Sequence, residues 1–136
     1  WTIEFLSKVT ENLNSQGYLI TYSSSAAVRK TLRNLGLEIF TIKPSFKNRT
    51  FWSQGTVAIS KFDKNKLKPN FNFEKLSLME EEHLLTKASV PYRDQYLNSS
   101  KEDIIQRRLE EQLFSNLLPT NKWREKWGMT KLSIKS

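Results

Sequence analysis

The sequence predicts an α/β fold, and three observations carry that prediction. Over residues 1–62, segments with helical spacing alternate with short apolar ones in the order helix, strand, helix, strand, loop, strand. The strand-like segments are rich in aromatic and β-branched residues without clean polar alternation, as suits strands buried on both faces of a parallel sheet. Gly17, Gly36 and Gly55 each stand where one segment gives way to the next.

Phe5, Val9 and Leu13 recur every four residues with Trp1 and Leu6 beside them, which puts one apolar face along a first helix. Asn14 and Gly17 supply its stop. Residues 17–23, Gly-Tyr-Leu-Ile-Thr-Tyr-Ser, read as a strand. Ser23, Ser24 and Ser25 offer N-caps for a second helix whose face is Val28, Leu32 and Leu35, closed by Gly36. Residues 37–43 form a second strand ended by Pro44. After a basic loop, residues 55–62 form a third.

Residues 63–136 are looser and largely helical. Asp63 to Lys75 reads as a Lys/Asn-rich connection, and Glu80 to Leu85 as one or two helical turns. Pro91 keeps Val90–Asp94 extended or turning. Ser99 with Glu102, or Ser100 with Asp103, caps a helix with the apolar stripe Ile105, Leu109, Leu113 and Leu117, ended by Pro119. In the tail, Trp123 and Trp127 are one helical turn apart and read as a docking stripe. The expected division is therefore residues 1–62 as one α/β unit and 63–136 as an extension packing on it.

Composition narrows the chemistry. The 136 residues are 38% hydrophobic, 26% charged and 12% aromatic, the balance of one globular domain. The absence of Cys excludes a disulfide scaffold, a thiolate zinc site and a cysteine nucleophile. His83 is the one histidine, so a His-based metal cage is excluded and a Ser-His-Asp triad has little room. No apolar run approaches the roughly 18 residues a membrane helix needs, and no signal peptide opens the chain. A soluble, cytoplasmic protein is the expectation. The chain starts at Trp1, not Met, which suggests a piece of something larger.

Charge is unevenly placed. Lys and Arg outnumber Asp and Glu by 22 to 14, a formal +8. Residues 29–75 hold eleven of the cations and three acids, and so carry a net charge equal to that of the whole chain. Such a patch is the electrostatic footprint of nucleic-acid contact. Within it, residues 45–52 interleave Lys47 and Arg49 with Phe46, Phe51 and Trp52. The cations suit phosphates. The aromatics either stack on unpaired bases or fill the core at strand edges.

Other constellations are silent. There is no GxGxxG and no P-loop. Glu80, Glu81 and Glu82 beside His83 read as a charge run, not a metal cluster, and Ser23–Ser25 read as caps, not nucleophiles. Local chemistry alone shows no active site.

Residues 1–6, Trp-Thr-Ile-Glu-Phe-Leu, then 17–23 running into Ala26-Ala-Val-Arg-Lys-Thr-Leu32 and Gly36-Leu37, resemble the methyltransferase domain of the MnmC type. The most specific part is a buried strand ending in Thr-Tyr-Ser before a helix carrying Val-Arg. The family's Gly-Phe-Gly-x-Lys-Arg-Glu-Met loop is matched in part by Ser45-Phe-Lys-Asn-Arg-Thr-Phe51, without its glycines and acid. Val90–Asp94, and Arg107-Arg108 before Glu111-Gln112, resemble the C-terminal extension of stand-alone bacterial members, cyanobacterial ones among them.

The resemblance implies the C-terminal part of a class I (Rossmann-like) methyltransferase sheet with a terminal antiparallel hairpin, plus a largely helical C-terminal extension. It implies S-adenosylmethionine as cofactor, with no metal and no flavin, and tRNA as partner, methylated on an aminomethyl group of its wobble uridine. Thr21, Tyr22 and Ser23, at the carboxyl end of the first strand, would line the target-amine pocket. Tyr92, Arg93 and Asp94 would fold back over the same edge, or else form a turn ion pair. Arg29, Lys47 and Arg49 would hold tRNA phosphates. The catalytic Asp and the cofactor-binding elements would lie upstream of Trp1, so this chain alone would be inactive. Isolated from that N-terminal half, it would dimerise or exchange strands through its open sheet edge. The alternatives are a non-catalytic RNA-binding module and a protein-interaction module docking through Ile105, Leu109 and Leu113.

Overall fold

The computed structural model describes residues 1–14, 17–43, 53–60 and 73–129. Its elements are α1 (Ile3–Glu11), β1 (Tyr18–Thr21), α2 (Ala26–Asn34), β2 (Leu37–Ile42), β3 (Thr56–Ser60), β4 (Phe73–Lys75), α3 (Leu78–His83), a 3-10 turn Lys87–Ser89, α4 (Lys101–Phe114) and α5 (Thr120–Lys126). The helix–strand alternation expected over residues 1–62 is present. Thr2 caps α1 by accepting from the Phe5 amide at 3.3 Å. Gly36 ends α2 at φ 91°, the left-handed conformation that glycine adopts without penalty.

The strands form one sheet in the order β1-β3-β2-β4, with every neighbouring pair antiparallel. The expectation of parallel pairing is corrected here. β1 and β2 do run the same way, but β3 lies between them, running in reverse. β1 is also not buried on both faces, since Tyr18 and Ile20 are exposed. Its apolar composition nevertheless places it correctly in the sheet. A second correction concerns the connection after residue 62, from which Phe73–Lys75 pairs with Phe40–Ile42 as a fourth strand. Phe73 packs edge-on against Phe40, with ring centroids 5.0 Å apart.

Register explains the core. Leu19, Ala58 and Ile39 align across β1, β3 and β2, and Thr21, Thr56 and Thr41 align one step nearer the carboxyl ends of β1 and β2. Two-residue periodicity puts both rows on the same face. Leu6 of α1, Ala26, Val28 and Leu32 of α2 and Leu84 close over that face with Leu37, Ile39 and Ala58.

α4 carries its apolar stripe outward. Ser100 caps it through the Asp103 amide at 3.1 Å, the second of the two cap pairings anticipated. Yet none of its residues is buried, and Ile105, Leu109, Leu113 and Phe114 face solvent, the last two 76% and 88% exposed. The helix is instead fastened by its polar face. Arg108 donates to the carbonyls of Val90 at 2.8 Å and Ala88 at 3.0 Å, and Gln112 donates to that of Lys87 at 2.8 Å. Pro119 does not end α4, which stops at Ser115, but stands at the cap of α5. Trp123 does dock: it is buried, stacks on His83 with centroids 4.1 Å apart and donates to the Met79 carbonyl at 2.9 Å. No helix among the described residues is long and apolar enough to cross a membrane.

Candidate functional site

At the carboxyl ends of β1 and β2, the chain turns from Thr21 through Ser25 into α2. Tyr22 stands at the tip of that turn, 96% exposed, between a buried Thr21 and a half-buried Ser23. The turn is held by short side-chain bonds of the kind serine and threonine make in loops. Thr21 Oγ1 accepts from the Ser23 amide at 3.1 Å, and Ser23 Oγ accepts from the Ser25 amide at 3.3 Å. Thr56 Oγ1 donates to the Ser23 carbonyl at 2.7 Å. Gly55 makes the approach of β3 possible. A Cβ there would sit 2.2 Å from the Thr21 carbonyl oxygen, and the glycine's φ of 155° lies where side chains rarely go.

Beneath the turn lies Arg29, projecting from α2 with no exposed surface. Its guanidinium donates to five acceptors. Nε reaches Thr56 Oγ1 at 2.8 Å and Nη1 reaches Glu80 Oε1 at 2.9 Å. Nη2 reaches Ser53 Oγ at 2.9 Å, the Gly55 carbonyl at 3.0 Å and Thr41 Oγ1 at 3.4 Å. Burial lowers the Arg29 pKa, while the bond and charge of Glu80 oppose that shift. For Glu80 burial acts upward, but bonds from the Ser77 backbone, Thr41 and Arg29 outweigh it and leave the carboxyl lowered. The Glu80 carboxyl is therefore ionised at neutral pH.

The three consecutive glutamates of α3 are separate fasteners, not a solvated run. Glu80 takes Arg29 and completes a capping box with Ser77. Glu81 receives both terminal nitrogens of Arg33, at 2.7 and 2.8 Å. Glu82 accepts from Lys126 at 2.7 Å and from the Trp127 indole at 2.8 Å. Beside them His83 is desolvated and faces Arg29 and Arg124, which together push its pKa down to about 4. Among the described residues no cluster of three or more His, Asp or Glu side chains could hold a metal ion.

The anticipated site residues do not form one group. Thr21, Tyr22 and Ser23 stand together at the strand ends. Arg93 instead shares a cavity of about 300 Å³ with Ile3, Asn34 and Leu35, toward the opposite end of α2. Residues 92–94 thus do not fold back over the carboxyl edge. Tyr92 lies under the Arg108 guanidinium, 4.4 Å from ring to cation, and its carbonyl accepts from the Ile3 amide at 2.9 Å. Arg93 does form an ion pair, but with Glu111 of α4, through two bonds at 2.9 and 3.0 Å. Asp94 accepts from the amides of Asn98 and Ser99. Arg29 is corrected too: a cation with no exposed surface and five internal acceptors cannot reach a phosphate. Lys47 and Arg49 lie outside the described residues.

Thr56, Thr41, Ser53 and Glu80 complete the turn's support and were missed in the sequence. The Ser77-x-x-Glu80 spacing is that of a capping box and could have marked Glu80, but nothing local announces a partner 51 residues away.

Residues 1–58 match a family described as S-adenosyl-L-methionine-dependent methyltransferase. The crystal structure of MNMC2 from Aquifex aeolicus superposes with a TM-score of 0.66 at 28% sequence identity, covering 83% of this chain. The chain spans 33% of that protein's length. No curated protein matches. The matched segment contains α1, β1, α2, β2 and the first half of β3, the elements that build the turn at Tyr22 and carry Arg29. The chain is thus similar over residues 1–58 to S-adenosyl-L-methionine-dependent methyltransferases, and over most of its length to the MnmC-type structure.

Proposed function

We propose that the chain is the C-terminal portion of an S-adenosylmethionine-dependent enzyme that N-methylates an aminomethyl group on the wobble uridine of tRNA. The observation that carries this reading is the coincidence of the family match with the turn at Tyr22. Ligands in open α/β sheets bind outside the carboxyl ends of the strands, and that is where the turn stands. The strand order supports a class I sheet, since β3 sits antiparallel between two strands that run alike, as its terminal hairpin requires.

The described residues do not fit the cofactor. No glycine-rich turn or free acid stands at this edge, Glu80 is bound to Arg29, and the close approach at Gly55 is to the chain itself. In this reading the donor-binding elements and the catalytic Asp precede Trp1. This chain supplies one wall of the acceptor pocket, with Thr21, Tyr22 and Ser23 orienting the amine. Lys47 and Arg49 hold tRNA phosphates, and the protein works in the cytoplasm, where tRNA is.

The full-length protein, given methyl-labelled S-adenosylmethionine and tRNA bearing the aminomethyl wobble uridine, is expected to transfer one methyl group to that nucleotide. No transfer to this tRNA would overturn the reading. Replacing Lys47 and Arg49 with Ala should weaken tRNA binding and flatten its log–log salt dependence by about 1.5. An unchanged slope would remove them from the interface.

A protein-interaction role has one observation of its own, the exposed stripe Ile105, Leu109 and Leu113. If it is the main role, serine at Leu109 and Leu113 abolishes partner capture while methyl transfer is absent from the start.

A further inference from the structure

A buried arginine that reaches five acceptors is an unusual way to fill a core. A leucine-like side chain would occupy similar space without the cost of desolvating a charge. What the arginine adds is connection. Because a guanidinium only donates, Thr56 Oγ1 must accept from Arg29 Nε, and its single proton is then left for the Ser23 carbonyl. The bonds Arg29 to Thr56, at 2.8 Å, and Thr56 to Ser23, at 2.7 Å, therefore run in one direction, and each strengthens the next. On its other side Arg29 is fixed by Glu80, which the sequence supplies 51 residues later from α3.

We propose that Arg29 is a positioning residue for the turn Thr21–Ser25: through Thr56 it sets the Ser23 carbonyl, and so the stance of Tyr22, with Glu80 holding Arg29 in turn. The segment after residue 62 thereby contributes to the acceptor pocket without lining it. Its glutamate locks the cation that locks the turn. The catalytic half of this inference rests on the proposed function, whereas the ordering of the turn does not.

Two variants of the full-length protein, Thr56→Val and Thr56→Ser, provide the test. Valine keeps the shape and β-branching but loses both bonds, and serine keeps the hydroxyl. Thr56→Val should speed amide hydrogen exchange at residues 22–25 about tenfold, leaving residues 37–41 of β2 unchanged. It should also lower kcat for methyl transfer about tenfold without changing KM for S-adenosylmethionine. Thr56→Ser should restore both. Glu80→Gln should reproduce the exchange change in part.

Unchanged exchange at 22–25 in Thr56→Val overturns the inference, whatever the catalytic result. Faster exchange with normal kcat in the folded protein overturns the link between turn and pocket. A wild-type enzyme inert toward tRNA overturns the proposed function instead, and the exchange readout still decides the positioning role.

Discussion

Arg29 of α2 and Glu80 of α3 meet at 2.9 Å with side chains 0% and 6% exposed, and no other ion pair among the described residues is as deeply buried. Breaking a buried pair by removing one partner strands the other charge in a medium that solvates it poorly. Glu80→Ala should therefore cost about 3–5 kcal/mol in urea unfolding. Replacing both with apolar residues of similar volume should cost less than the single change. A single-variant loss below about 1 kcal/mol would show that water reaches the site.

Gly55 and Gly36 both have positive φ but differ in surroundings. A Cβ at Gly36 meets nothing within 4 Å, whereas one at Gly55 collides with the Thr21 carbonyl. Gly36→Ala should cost about 1 kcal/mol, the backbone term alone. Gly55→Ala should cost several times as much, because β1 and β3 must separate. Equal losses in thermal or urea unfolding would refute the crowding at Gly55.

His83 gives stability a pH dependence of defined sign. Its folded pKa is about 4, against 6.5 in the unfolded chain. Between those values the unfolded chain takes up a proton that the folded chain refuses, so stability falls as pH drops from 6.5 toward 4. The half-buried site limits the loss to about 1–2 kcal/mol. His83→Phe, which keeps the stacking on Trp123, should flatten urea midpoints between pH 7 and 4.5. The lowered carboxyls Glu80, Glu81 and Glu111 act in the same sense but below their ordinary 4.5, outside most of this window.

For α4, ordinary amphipathic reasoning is inverted. Leu113→Ser and Phe114→Ser should change folding stability by less than about 0.5 kcal/mol, because both side chains already face solvent. Arg108→Ala removes two bonds to carbonyls and the contact over Tyr92, and should cost about 2 kcal/mol. The reverse ranking by denaturation would place the apolar stripe in the core.

How far the sequence could be read followed the range of the interactions. Helical spacing through Phe5 and Val28, and the strand runs at 18–21 and 37–42, are local signals, and they emerged where expected. The insertion of β3 between β1 and β2 is set by pairing across the sheet, which no local pattern encodes. The repeat through Leu109 says that one face of α4 is apolar, not whether that face is covered. Arg29 misled outright. Charge usually means surface, and the five acceptors that make burial tolerable are scattered from Thr41 to Glu80.

The position of β3 has a consequence for how the chain assembles. During synthesis β1 is made before β3, its described neighbour, which is complete only at Ser60, about forty residues later. β2 waits in the same way, and the guanidinium beneath them goes without its carboxylate until Glu80 has been made. The described pairings of β1 and β2 with β3, and the bond of Arg29 to Glu80, therefore close only after these later segments are made. Contacts this distant in sequence are slow to form, and a growing chain in that condition is a natural client for chaperones.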